Sequence, residues 1–278
     1  MKKDDEKLVM LCPFCGERVL TALGLFVSED PEDSRHGATV GVKSVCECEA
    51  AQHSAEQEKN AREAKEREKI EMREKRRVLR LFETSGMPTK WQEERGLKHW
   101  KQEDKSQREA YAAAVEFGRE VVKKASPQSL YIVGDIGTGK TFLCSCLCAD
   151  LVRKGKRIMW RNVSEILREL RACFNSKTAN EVETMQAFVA APVLVLDDLG
   201  KERPTEWAAE QLFCIVNGRY DEGRATIITT NYGAEELVRR LTPRPDANGY
   251  ADDTTARAIV DRLRGVSKCV KLQGGSKR

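Results

Sequence analysis

The chain has 278 residues, 48 Lys and Arg against 44 Asp and Glu, and a formal net charge of +4, a size that supports one substantial α/β domain with a smaller appendage. So even a charge balance excludes recognition of anionic partners by the field of the whole molecule; local patches must carry it. No apolar run is long enough to span a bilayer and Met1 to Glu6 lacks the apolar centre of a secretory signal, so the expected setting is the cytosol, with no membrane partner.

Cys12-Pro13-Phe14-Cys15 opens the first module and Cys46-Glu47-Cys48 closes it, around an insert carrying Gly and Pro. Four thiolates at this spacing offer a tetrahedral zinc site, with His36 and His53 as substitute donors. A module of about 50 residues has too little core to order itself unaided, so the metal is the expected source of its stability. The other cysteines, Cys144, Cys146, Cys148, Cys173, Cys214 and Cys269, lie in apolar stretches and read as small buried hydrophobes. Cys146 stands two residues from both Cys144 and Cys148 and shares no helical face with them, so the three do not form a metal site.

From Ala50 to Phe82 the chain is rich in Glu, Lys, Arg and Ala, without Pro or Gly. Glu58 with Arg62, Glu63 with Arg67 and Glu71 with Lys75 are pairs four apart with Glu first, the favourable order on a solvated helix. Few apolar residues interrupt it before Ile70, so a spacer is expected rather than a coiled-coil seam. Ser85-Gly86-Met87-Pro88 ends this helix. The expected organisation is a zinc-binding module over 1–50, a charged helical linker over 51–84 and the main domain over 85–278.

Beyond Pro88 the pattern alternates. Helix is expected over 107–124, strand over 130–133, helix over 141–154, strand over 157–160 and helices over 163–174 and 181–189. Strand 193–196, helix 206–220, strand 226–230, helices 234–241 and 254–263 and strand 269–272 follow. Strands alternating with helices imply a parallel sheet covered on both faces.

Three stretches carry chemistry. The strand ending at Val133 runs into Gly134-Asp135-Ile136-Gly137-Thr138-Gly139-Lys140-Thr141, the G-x-x-x-x-G-K-T pattern. Its glycines let backbone N–H groups turn around phosphates, Lys140 reaches the β and γ oxygens, and the Thr141 hydroxyl ligates magnesium at a helix start. ATP and magnesium are the expected ligands. Val193-Leu194-Val195-Leu196-Asp197-Asp198 is a buried strand ending in two carboxylates, with Asp197 the magnesium partner and Asp198 the group that polarises the attacking water. Asn231, at the end of Ile227-Ile228-Thr229-Thr230, is a candidate sensor of the γ-phosphate.

Together with Asp261-Arg262-Leu263-Arg264-Gly265, these motifs resemble the AAA+ ATPases of the DnaC/DnaI helicase-loader group. Ser85-Gly86-Met87-Pro88 is similar to the linker before the loader motor. Asp197 to Glu202, Trp207, Leu212-Phe213 and Asn217-Gly218-Arg219-Tyr220 resemble the stretch between the acidic and sensor strands. The resemblance covers most of the chain and is strongest from Ser85 to Gly265. It implies a P-loop AAA+ domain and an N-terminal zinc module that docks on the hexameric replicative helicase.

By the same resemblance Arg262, with Arg264 as the alternative, would be an arginine finger reaching a neighbouring subunit's γ-phosphate, so ATP would drive self-association. Single-stranded DNA would meet Arg153-Lys154-Gly155-Lys156-Arg157 with Arg161, Arg168 and Arg171; Trp160 reads as core more readily than as a base-stacking ring. The chain departs from the group in a lengthened stretch from Thr242 to Asp253 and in ending at Gly274-Gly275-Ser276-Lys277-Arg278, where other loaders carry a second sensor arginine. It also has Asp198 where many motors have Glu, which implies slow hydrolysis, and the finger in trans implies that it depends on assembly. Two alternatives are a transposition helper of the IstB type and an ATP-gated adaptor with little turnover.

Overall fold

The computed structural model describes residues 8–25, 39–42, 46–91, 95–123, 127–174, 180–245 and 251–274. His36, residues 246–250 of the lengthened stretch and the tail from 275 lie outside them. The chain divides into two units, Met1–Glu74 and Lys75–Arg278.

In the first unit, strands β1 (Leu8–Leu11), β2 (Arg18–Leu25) and β3 (Thr39–Val42) form an antiparallel sheet in the order β1-β2-β3. Cys12 and Cys15 sit in the β1–β2 turn, closed by hydrogen bonds from Cys12 N to Glu17 O and from Gly16 N to Cys12 O. Cys46 and Cys48 lead into helix α1 (Glu49–Ser85). Most of its side chains are exposed, as a polar helix without a continuous apolar stripe must be. Its buried residues are Ala51 in the first turn and Phe82 and Ser85 near the end.

In the second unit the last residues of α1, from Lys75, lead into two short 3-10 turns, Thr89–Trp91 and Leu97–His99, followed by α2 (Lys105–Lys123). Asp104 starts α2 by accepting the N–H of Gln107 on its Oδ1 at 2.9 Å. The helix buries Ala110, Ala113, Ala114, Phe117 and Val121, spaced three or four apart as one helix face requires. There follow β4 (Ser129–Gly134), α3 (Lys140–Arg153), β5 (Met159–Asn162), α4 (Val163–Phe174), α5 (Glu181–Ala190) and β6 (Val193–Leu199). α6 (Glu206–Asp221), β7 (Ala225–Thr230), α7 (Ala234–Leu241), α8 (Thr254–Gly265) and β8 (Ser267–Leu272) complete it.

The five strands run parallel in the order β5-β6-β7-β4-β8. Their side chains feed two separate cores. Leu130, Ile132, Val193, Val195 and Ile227 join residues of α2 and α3 on one face. Tyr131, Leu194, Leu196 and Ile228 join α4 to α8 on the other. This period-two division is what a sheet with helices on both faces demands, and it bears out the expected α/β architecture. Several boundaries move by two or three residues: β5 starts at Met159, not Arg157, β6 runs on to Leu199, and α2 and β8 start at Lys105 and Ser267.

Arg219 of α6 holds the second core together. It is 2% exposed, and its guanidinium donates to the carbonyls of Phe188, Val189 and Ala191 at the end of α5, to Ala225 O and to Thr226 Oγ1. Burial pulls its pKa down to about 9, which leaves it charged at neutral pH. Carbonyls at a helix C-terminus suit that charge.

Candidate nucleotide site and cysteine cluster

The carboxyl ends of β4, β6 and β7 open into a cleft of about 930 Å³ that takes in Lys140, Thr141, Asp197, Asp198, Lys201 and Asn231. The loop after β4 turns at Gly137 and Gly139, with φ of 87° and 95°. Its helix, α3, begins without a side-chain cap, so the first N–H groups are available to an anion. Lys140, 5% exposed, folds back to donate to the carbonyls of Gly134 at 2.8 Å and Asp135 at 2.9 Å. Burial pulls its pKa down; the Asp198 carboxylate opposes this and the Lys201 ammonium adds to it.

A hydrogen-bonded chain joins the three motifs. Thr229 Oγ1 donates to Asp197 Oδ1 at 2.6 Å, Thr141 Oγ1 donates to the same oxygen at 3.2 Å, and the Asp198 N–H donates to Thr229 Oγ1 at 2.9 Å. Burial pushes the Asp197 carboxyl pKa up, while the Thr229 hydroxyl draws it back. Just here the β6–β7 register shifts between Leu196 and Leu199. Asp198 takes φ +60°, the one positive-φ residue other than glycine among the described residues. That conformation costs about 1–3 kcal/mol and is retained mainly at functional sites. It turns the Asp198 side chain to Lys201, whose Nζ lies 2.8 Å from Asp198 Oδ1.

Two hard oxygen donors, Thr141 Oγ1 and Asp197 Oδ1, thus converge beside the phosphate loop, the donor set magnesium prefers.

Sequence reasoning missed two parts of this site. Thr229, rather than Asn231, touches the acidic strand; Asn231 lines the cleft. The other wall comes from the segment before α2. Arg95 lies 4.3 Å from the Phe142 ring centroid and 5.7 Å from that of Trp91, and the Trp100 and Phe142 rings stack at 6.0 Å. No periodicity marks that segment, so its place in the cleft follows only from the fold.

Arg262 is not in the cleft. Its Nε donates to Asn217 Oδ1 at 2.8 Å, and its guanidinium lies 4.9 Å from the Phe213 ring centroid. It precedes the start of β8, where Ser267 pairs with Ser129, whereas the phosphate loop leaves the far end, where Leu272 pairs with Gly134. Five residues of strand separate these edges, about 16 Å. Arg264 is exposed.

The basic patch is largely engaged inside the chain. Arg161 pairs with Glu169 at 2.7 Å, Lys156 donates to Val122 O, Arg153 pairs with Asp150 at 3.2 Å, and Arg171 covers the Trp207 ring. Trp160 is buried against Trp91. Of the scattered cysteines, Cys144, Cys146, Cys148 and Cys173 are buried as expected, but Cys214 and Cys269 are exposed. Both lie on the solvent side of elements whose other side is buried, which composition does not distinguish.

In the first unit, the Sγ atoms of Cys12, Cys15, Cys46 and Cys48 all lie within 4.8 Å of one another. Cys12 and Cys48 approach to 3.8 Å, and Cys15 and Cys46 to 3.5 Å. Tetrahedral Zn–S bonds of 2.3 Å place sulfurs about 3.8 Å apart, so the cluster fits zinc. Backbone N–H groups of Cys15 and Phe14 lower the Cys12 pKa to about 7, whereas Cys15, Cys46 and Cys48 are raised, with burial and neighbouring thiols outweighing their own backbone hydrogen bonds. His53 is outside this cluster.

A family model described as IstB-like ATP binding protein matches residues 45–278. The replicative helicase loader DnaI of Bacillus subtilis (strain 168) is 27% identical over 152 residues, 54% of this chain and 48% of that protein. An insertion sequence IS21-like putative ATP-binding protein of Bacteroides fragilis is 28% identical over 162 residues, 58% of this chain and 56% of its own. A crystal structure of DnaI matches with a TM-score of 0.56 and 25% identity over 69% of this chain and 95% of that one. Loaders named DnaC are also among the matches, so the resemblance to the DnaC/DnaI group stands. The chain spans about half the length of these curated relatives. Among the described residues, no helix is long and apolar enough to cross a membrane.

Proposed function

The chain belongs to the family of IstB-like ATP-binding proteins, and from that premise we propose that it is an ATP-dependent loader that delivers a replicative DNA helicase to single-stranded DNA. Relatives named as replicative helicase loaders support this reading. The observation that carries the ATP chemistry is the single oxygen, Asp197 Oδ1, on which Thr141 of the phosphate loop and Thr229 of the sensor strand converge. Thr141 and Asp197 would hold magnesium, which when bound neutralises charge on the β and γ phosphates. Lys140 and the loop N–H groups bind the phosphates, Asn231 contacts the γ end, and Asp198 accepts the proton of the attacking water.

Arg262 lies about one strand length from its own chain's phosphate loop. In this reading it acts on the neighbour, which makes turnover slow and dependent on assembly. The four cysteines would hold zinc, which when bound cross-links the 1–50 module; that module grips the helicase, the helix over 51–84 is the linker, and residues 85–278 are the motor. Lys154 and Arg157, both exposed, remain as candidate DNA contacts. The IS21-type relative favours a second reading, in which the same motor serves a transposase.

The test is loading of purified bacterial replicative helicase onto circular single-stranded DNA by the full chain. ATP-dependent loading lost in Lys140→Ala and in Cys12→Ser with Cys15→Ser is expected. No helicase association, with intact ATP binding, moves the reading to the transposition helper.

A further inference from the structure

Lys201 lines the cleft, is ion-paired to Asp198 and has no role in the motif reading. Lys201 follows the acidic strand on a tightly specified turn. Its Nζ is 2.8 Å from Asp198 Oδ1, and it lines the cleft with Lys140 and Asn231. The position of its backbone is over-determined. The Asp198 N–H is bound to Thr229 Oγ1, the Lys201 N–H donates to Asp198 O at 3.3 Å, and the Gly200 N–H donates to Glu202 Oε2 at 2.9 Å. Gly200 has φ +92°, and a Cβ there would come within 2.7 Å of Leu237 Cδ1 and 2.8 Å of Tyr232 Cδ2.

Glu202 explains why the turn keeps this shape. It is 8% exposed, and burial pushes its carboxyl pKa up. A carboxylate taken out of water is costly unless bonded, yet its Oε2 is spent on the Gly200 N–H. The chain therefore spends a buried acid on holding a turn whose one outward product is a lysine aimed at the cleft. An exposed ion pair contributes little to stability, and the Lys201–Asp198 pair is partly solvated, so packing alone does not account for it.

The charges suggest what it does. Without ligand, Asp197 and Asp198 face Lys140 and Lys201, while Lys90, Arg95, Lys101 and Glu103 line the cleft from the segment before α2. A γ-phosphate brings more negative charge than one carboxylate, and a lysine ammonium on a flexible stem moves to the stronger partner. We propose that Lys201 is a catalytic cation that rests on Asp198 until a γ-phosphate enters and then transfers to it, so that the substrate itself frees Asp198. The water oxygen then bonds to the γ-phosphorus as the bond to the β,γ-bridging oxygen breaks. Its electron pair leaves with ADP, the water proton passes to Asp198, and Lys201 stabilises the charge on the γ-phosphoryl oxygens. This rests on the ATPase reading above and deepens it.

Three full-length variants test it: Lys201→Ala, Lys201→Gln and Lys201→Arg, compared with the native chain for steady-state ATP turnover and for binding of fluorescent ADP and a non-hydrolysable ATP analogue. Ala and Gln are expected to lower kcat by roughly 10²-fold and to weaken the ATP analogue while leaving ADP affinity unchanged, with Arg restoring part of both. Unchanged kcat overturns the proposal. So does a rise in kcat, which would make Lys201 only a brake on Asp198, and so does an equal loss of ADP and analogue. A native chain that binds neither nucleotide overturns the ATP reading itself.

Discussion

Replacing Thr229 by Val tests whether the sensor strand builds the site or merely borders it. Thr229 is fully buried, and Val keeps its shape and β-branching while deleting the hydroxyl. Two bonds go: the 2.6 Å donation to Asp197 Oδ1 and the 2.9 Å bond from the Asp198 N–H. A hydrogen bond to a charged group contributes about 1.5–3 kcal/mol, and a buried N–H left unpaired costs about 1–3 kcal/mol. Asp197 keeps Thr141 at 3.2 Å, so the loss falls toward the low end, about 3 kcal/mol. For a domain of this size that lowers Tm by about 6–12 °C, read in thermal and urea melts of the full chain. Asp197 also loses the hydroxyl that draws its pKa back, so burial carries it further up and its fitness as a magnesium ligand falls. Magnesium-dependent ATP binding should weaken in step, and Thr229→Ser should restore both. A Thr229→Val chain within about 0.5 kcal/mol of native stability would refute the argument.

The remaining tests address other links. Chelation or Cys12→Ser with Cys15→Ser should remove one zinc per chain and unfold the 1–74 unit, read by metal analysis and by proteolysis of the N-terminus; an N-terminus equally protected without metal contradicts the zinc assignment. Arg262→Ala should keep nucleotide affinity but lose turnover by roughly 10³-fold or more, and mixing it with Lys140→Ala should recover part of the rate, since one brings a working loop and the other a working finger; retained turnover in Arg262→Ala alone excludes the finger. Gly86→Ala should destabilise by about 3 kcal/mol, because φ is +76° and a Cβ would meet Trp160 O at 2.6 Å and Arg161 Nη1 at 2.0 Å, and an unchanged melting curve would show that the linker yields there.

Local chemistry was legible in the sequence wherever a residue's role follows from its neighbours in the chain. The phosphate loop, the acidic strand and helices such as α7, expected over 234–241 and found there, are of this kind. The rest depends on contacts between distant segments. Thr229 looked like one polar residue in a strand until parallel pairing of β6 and β7 set it beside Asp197. Arg219 belongs to a stretch recognised only as a pattern; that it satisfies three carbonyls at the end of α5 requires knowing where α5 stops. The basic patch shows the same dependence. Charge in a sequence says that cations exist, while Glu169, Val122 O and Asp150 decide which of them are free.

The two cations proposed for turnover enter from opposite sides of this geometry. Lys201 stands on a turn braced by Thr229 and Glu202 within the cleft, so it responds to the γ-phosphate of its own chain. Arg262 stands at the other edge of the sheet, held by Asn217 and Phe213, so it responds to a neighbour. If each stabilises charge at a different moment of the same step, hydrolysis needs both a triphosphate and a partner, and neither alone suffices. The two roles are then separable by experiment. Loss of Lys201 should narrow the discrimination between ATP and ADP in the dilute chain, where no neighbour is present. Loss of Arg262 should leave that discrimination intact and abolish only the dependence of rate on protein concentration. A chain in which either substitution produced both effects would have one coupled switch rather than two, and the braced turn after β6 would then belong to the subunit interface.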